Sequence, residues 1–75
     1  MVIKFRKSEY TNQNGWSITE EKEIDEKTAI QYAASANRGN ANLSTSPEEW
    51  AENMIMKKNN FKIYKTPEIL YEFEF

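Results

Sequence analysis

Two stretches near the start of the chain alternate between apolar and polar residues. In residues 2–10, Ile3 and Phe5 alternate with basic residues, which is the period-two pattern of a half-buried β-strand. Residues 16–24 repeat this alternation, and their apolar parity carries Trp16, Ile18 and Ile24. The two runs predict a β-hairpin whose apolar side chains lie on one shared face.

The hairpin has two possible registers. Asn14-Gly15 is typical of a two-residue turn, which requires positive φ at both positions, but that turn would place Glu9 opposite Glu20. A longer loop over residues 12–15 pairs opposite charges instead, and such pairs stabilise a sheet. We therefore expect the longer loop, with Ile3 opposite Ile24, Lys4 opposite Glu23, Arg6 opposite Glu21 and Lys7 opposite Glu20.

The middle of the chain predicts two helices. Asp25 is a good N-cap for a first helix, which has an apolar stripe of small residues. This helix should end near Gly39. Residues 40–46 are interpreted as a linker. The Ser-Pro-Glu-Glu sequence at 46–49 has the pattern of a capping box with proline at the first helical position. The second helix should end at Asn59-Asn60.

Residues 61–65 and 69–75 again alternate, with a turn between them at 66–68. The resulting order is β-β-α-α-β-β, an α+β fold in which a small antiparallel sheet is covered on one face by two short helices. We expect one domain over residues 1–75. The residues predicted to be buried are Phe5, Ile18, Ile24, Ile30, Trp50, Ile55, Ile63 and Phe73.

The closing segment, residues 69–75, is interpreted as an edge strand. In that position Glu72 and Glu74 would prevent edge-to-edge aggregation. The alternative is that this edge accepts a strand from a partner protein.

The chain of 75 residues contains no cysteine, so neither disulfides nor a thiolate zinc site can stabilise it. A fold this small has a thin core, and a structural homo-oligomer is therefore one possible class. No targeting signal and no apolar run of membrane-spanning length is recognised, so we expect a cytoplasmic protein without a membrane partner.

Histidine is also absent, which excludes Ser-His-Asp and Cys-His catalytic sets. We therefore expect a protein that is not an enzyme and needs no cofactor. Glu48, Glu49 and Glu52 have the oxygen chemistry of a divalent-cation site. At a helix start, however, such residues favour the positive end of the helix dipole, so no metal site is predicted.

The formal net charge of −2 disfavours direct binding to nucleic acid. A nucleic-acid-binding regulator is nevertheless an alternative, because Lys4, Arg6, Lys62 and Tyr64 could share the outer sheet face. Glu21 and Glu23 on that same face would repel phosphate.

Aromatic residues offer the candidate contacts for a protein partner. Trp50 lies at helical spacing with Met54 and Ile55, and is therefore predicted to pack in the core. Trp16 has two interpretations: it covers the end of the sheet, or it projects beside the loop as an anchor for a partner. The predicted partner-binding residues are Tyr10, Trp16, Glu20, Glu21 and Met56.

These features favour a non-enzymatic module that binds a larger cytoplasmic protein, which could itself bind nucleic acid. Small size, absent cysteine, the lack of a catalytic set and a mixed acidic and aromatic surface together resemble the small anti-defence proteins of bacteriophages, including anti-CRISPR inhibitors. The resemblance is one of type, carried by no shared motif, and it assigns no role to any residue. It implies inhibition of a bacterial host or defence protein.

Overall fold

The computed structural model describes residues 2–37 and 46–75. It confirms the predicted α+β fold and its order, with these elements: β1 Ile3–Thr11, β2 Gly15–Ile24, α1 Glu26–Asn37, α2 Pro47–Met56, β3 Phe61–Thr66 and β4 Ile69–Glu74. The predicted end of the first helix near Gly39 and most of the predicted linker over 40–46 lie outside the described residues. Of the helices that the structure describes, neither has the length and apolar character needed to cross a bilayer.

The four strands form one antiparallel sheet in the order β2-β1-β4-β3. The edge strands are therefore β2 and β3, and the prediction that residues 69–75 form an edge is wrong. β4 pairs with β1 on one side and with β3 on the other, so it has no free edge for a partner strand. Alternation alone could not show this, because edge and central strands of a one-sided antiparallel sheet have the same period.

The first hairpin follows the predicted register only in the half away from the loop, where residues 3–7 pair with residues 20–24. The predicted partners of Ile3, Lys4, Arg6 and Lys7 are all confirmed. Between Lys7 and Ser8 the register then shifts, so that Thr19 is an extra residue on β2 and Thr11 pairs with Gly15. The loop is consequently residues 12–14, one residue shorter than predicted, and Gly15 takes a positive φ of 67°.

The helices lie on one face of the sheet, which we call the inner face; the opposite one is the outer face. α1 packs directly on the sheet, whereas α2 packs mainly on α1 and reaches β3 through Trp50. Phe5 on β1 is fully buried there and stacks on Tyr32 of α1, with ring centroids 4.3 Å apart. Small side chains of α1 allow this close approach, as the sequence indicated. The buried apolar residues are Ile3, Phe5, Ile24, Ala29, Ala33, Ala34, Ala36, Ala51, Ile55, Tyr71 and Phe73.

Of the residues predicted to be buried, one is placed wrongly: Ile18 is 59% exposed. The extra residue Thr19 turns it to the outer face, whereas Ile24, beyond the bulge, remains inside. Trp50 packs against the core as predicted, edge-on to Phe61 with ring centroids 6.3 Å apart. Ile30 and Ile63 also pack against the core and are partly buried.

Both predicted helix caps are present. The Asp25 carboxylate accepts a hydrogen bond from the Thr28 backbone N–H at 2.8 Å, and the Ser46 hydroxyl accepts one from the Glu49 N–H at 3.2 Å. α2 ends at Met56, earlier than the predicted Asn59-Asn60, and Lys58 adopts a positive φ of 57° just beyond it.

Candidate partner-binding surface

The outer face carries an aromatic cluster, which we define as Tyr10, Trp16 and Tyr64. Tyr10 and Trp16 are direct cross-strand partners, with ring centroids 5.6 Å apart. Trp16 also contacts Tyr64 at 6.0 Å. The three side chains remain 43 to 56% exposed, so they present ring surface to solvent while they pack on one another.

The contact between Trp16 and Tyr64 joins the two edge strands, because Trp16 lies on β2 and Tyr64 on β3. β1 and β4 run between them, and Ser8 lies there, paired with Ile18 on one side and with Leu70 on the other. Ser8 is only 6% exposed although it is on the face without helices. Ser8 thus lies on a central strand, in the part of the sheet that the contact between Trp16 and Tyr64 spans.

The other end of the outer face carries an ionic cluster, which we define as Arg6, Glu21, Glu72 and Glu74. The Arg6 guanidinium donates to the Glu21 carboxylate at 2.8 Å and lies 3.8 Å from Glu72 and 3.7 Å from Glu74. The hydrogen bond to Glu21 is the main reason that the pKa of Arg6 is raised above its ordinary value. A guanidinium is always charged in a protein, so Arg6 holds the three carboxylates together as a cation.

Exposure differs within the ionic cluster. The Arg6 side chain is 25% exposed, whereas those of Glu21, Glu72 and Glu74 are 51%, 31% and 45% exposed. Each carboxylate is thus more accessible to a partner than the cation that holds it. Register places Lys4, Glu23 and Lys62 on this face as well, so its formal charges are three cations and four carboxylates.

The five predicted partner-binding residues do not form one surface. Tyr10, Trp16 and Glu21 share the outer face, although Tyr10 and Trp16 were expected on opposite faces. Glu20 lies on the inner face, where its carboxylate is 3.5 Å from the Lys22 ammonium. Met56 is 66% exposed at the end of α2, away from the aromatic cluster.

Sequence reasoning missed two residues of this surface as protein contacts. Ile18 was assigned to the core, and Tyr64 was considered only as a platform for nucleic-acid bases. The bulge arises because β2 has one residue more than β1 between paired positions. This difference depends on where the loop closes, and the alternation of apolar and polar residues does not show it. For Tyr64 a signal existed, since its parity on β3 is opposite to that of the buried Phe61 and Ile63.

Cations contact aromatic rings only on the inner side of the described structure. The Lys22 ammonium lies 5.3 Å from the centre of the Tyr32 ring, and that of Lys65 lies 5.8 Å from the Tyr71 ring. The interaction with Tyr32 is the main reason that the pKa of Lys22 is raised, and Glu20 contributes less. Within residues 2–37 and 46–75, no cation lies over a ring of the aromatic cluster.

No group of three or more acidic, histidine or cysteine side chains suited to a metal ion is found in the described part of the chain. The cations proposed for nucleic acid are separated: Lys4 and Arg6 lie on β1 and Lys62 on β3, with Glu72 and Glu74 of β4 between them. This arrangement presents carboxylates where a phosphate backbone would have to cross the sheet.

Comparison of the chain with protein-family profiles, curated proteins and solved structures finds no match in any of the three.

Proposed function

We propose that this protein is a non-enzymatic binding module that docks on a larger protein through the outer face of its sheet. The observation that carries the proposal is the exposed aromatic cluster on a sheet face that the helices leave open. Tyr and Trp side chains are enriched among the residues that dominate binding energy at protein interfaces.

The size of the exposed apolar surface supports this proposal. The aromatic cluster and Ile18 are 43 to 59% exposed and together present about 400 Å² to solvent, taking about 200 Å² for a large side chain. A contiguous patch of that size is in the range that marks functional surfaces. It supplies about half of the ~800 Å² per partner of a standard interface, and the ionic cluster adjoins it.

The absence of histidine and cysteine supports a role in binding without catalysis. The sequence's resemblance in type to phage anti-defence proteins adds that binding would inhibit the partner by covering a working surface. Phage origin and the identity of a host or defence target belong to the proposal, as does a cytoplasmic location.

The experiment is affinity capture from a bacterial lysate with three forms of the protein: wild type, Ile18→Glu and Met56→Glu. Both variants place a carboxylate on an exposed apolar side chain, since Ile18 is 59% and Met56 66% exposed. We expect Met56→Glu to retain the partner and Ile18→Glu to lose it at least about tenfold, a 1.4 kcal/mol effect. Met56→Glu should melt close to the wild type, and Ile18→Glu should melt at most about 8 °C lower, the effect of about 1 kcal/mol in a domain of this size.

The opposite pattern, with loss for Met56→Glu alone, would place the interface on the helix side. Retention by both variants would remove the outer face from consideration. Nuclease treatment of the captured material, together with Lys62→Ala, tests the nucleic-acid alternative. We expect neither to change capture of the partner, because direct nucleic-acid binding is not expected from this charge distribution.

A further inference from the structure

The aromatic cluster and the ionic cluster lie on one continuous face, and their chemistry indicates what kind of protein surface would fit. Residues alternate on a strand, so successive outer positions are about 7 Å apart. Measured along β1, Arg6 is therefore about 7 Å from Ser8 and about 13 Å from Tyr10. One extended segment of a partner can reach both clusters.

Two features of this face favour a cationic ligand. The rings of the aromatic cluster carry no cation of this chain in the described structure, whereas two rings on the inner side do. Exposed faces of Trp and Tyr attract guanidinium and ammonium groups. Next to them, the carboxylates of the ionic cluster are more exposed than the Arg6 guanidinium that orients them.

We infer that the partner presents exposed arginine side chains, with one guanidinium stacked on the aromatic cluster and another paired with the carboxylates of the ionic cluster. Arginine fits better than lysine because its planar guanidinium stacks on aromatic rings and binds carboxylates through two parallel hydrogen bonds. This inference rests on the proposed function and specifies the partner's surface.

A second copy of the chain fits this face less well. Two aromatic clusters packed on each other, each together with Ile18, would bury only about 400 Å² per copy, about half of a standard interface. A larger overlap would bring together the charged parts of two outer faces, each of which has four carboxylates and three cations. The like charges oppose that arrangement.

The first test uses a hexa-arginine peptide as probe and follows the Trp16 indole N–H by NMR in the full chain. We expect the peptide to shift this signal, and we expect a hexa-lysine peptide to bind at least about threefold more weakly because lysine lacks the stacking plane. Tyr64→Leu keeps apolar area but removes a ring, so it should weaken hexa-arginine binding at least about threefold.

A matched pair of charge variants separates the ionic cluster from net charge. Glu21→Gln with Glu74→Gln removes two outer-face charges, and Glu20→Gln with Glu52→Gln removes two charges from other surfaces. We expect only the outer-face pair to weaken the peptide, at least about threefold. Equal weakening by both pairs, or an unshifted Trp16 signal, would overturn the inference.

The failure of this inference is distinguishable from failure of the proposed function. A captured partner that depends on Ile18 but is indifferent to Glu21→Gln with Glu74→Gln would leave the docking face intact and refute the arginine chemistry. Self-association seen by light scattering and abolished by Ile18→Glu would show that a second copy occupies the face, which also refutes the inference.

Discussion

Ile18 and Ile24 provide a direct test of the bulge that builds the outer face. Both are isoleucines on β2, but Ile18 is 59% exposed and Ile24 is 8% exposed. Isoleucine to alanine removes three carbon groups, worth about 2.4 kcal/mol if they are fully buried. Ile24→Ala should therefore lower the free energy of unfolding by about 2–4 kcal/mol, including the cavity it leaves.

For Ile18→Ala the same reasoning gives a loss of about 1 kcal/mol or less, because more than half of the side chain already faces solvent. Both substitutions remove the same β-branched side chain from the same strand, so the two variants differ chiefly in how that side chain is buried and packed.

Urea denaturation followed by circular dichroism measures the two losses. A chain of this size has a denaturant slope of about 1 kcal/mol per molar urea, so the midpoint should fall by about 2 M or more for Ile24→Ala and by about 1 M or less for Ile18→Ala. Equal losses, or a larger loss for Ile18→Ala, would show that Ile18 is packed inside and that β2 carries no bulge. The surface proposed for the partner would then not exist in this form.

Two further predictions concern the helix caps. Ser46→Ala should lower stability by about 0.5–2 kcal/mol because the Glu49 N–H loses its acceptor, and an unchanged denaturation midpoint would contradict a role for this cap. Asp25 accepts hydrogen bonds from the side chain and backbone N–H of Thr28, which lower the folded-state pKa of its carboxyl group. The stability that the ionised carboxylate gives the folded state is present above the unfolded-state pKa and is lost as the pH falls through the folded-state pKa. Wild type should therefore lose stability relative to Asp25→Asn as the pH falls from neutral to below about 4, and parallel pH profiles of the two midpoints would refute this.

Local sequence signals determined the elements of this protein. Alternation predicted all four strands, and the caps at Asp25 and Ser46 predicted both helix starts, because these depend on neighbours within a few residues. The half of the first hairpin away from its loop was also predictable, since opposite charges at Arg6 and Glu21 select one register.

The candidate surface was predictable only in part. Tyr10, Trp16 and Glu21 were identified as contact residues from their types and from their expected places in the hairpin, but Glu20 and Met56 lie elsewhere. Whether any of the five binds a partner stays a prediction.

Tertiary structure decided how the two hairpins meet and what the outer face contains. Pairing of β1 with β4 makes the last strand central and brings Glu72 and Glu74 to Arg6. The bulge at Thr19 turns Trp16 outward, toward Tyr64 on the far edge strand. Strand order and bulges depend on contacts between residues distant in the chain, and a one-residue slip exchanges the two faces of a strand without changing its alternation.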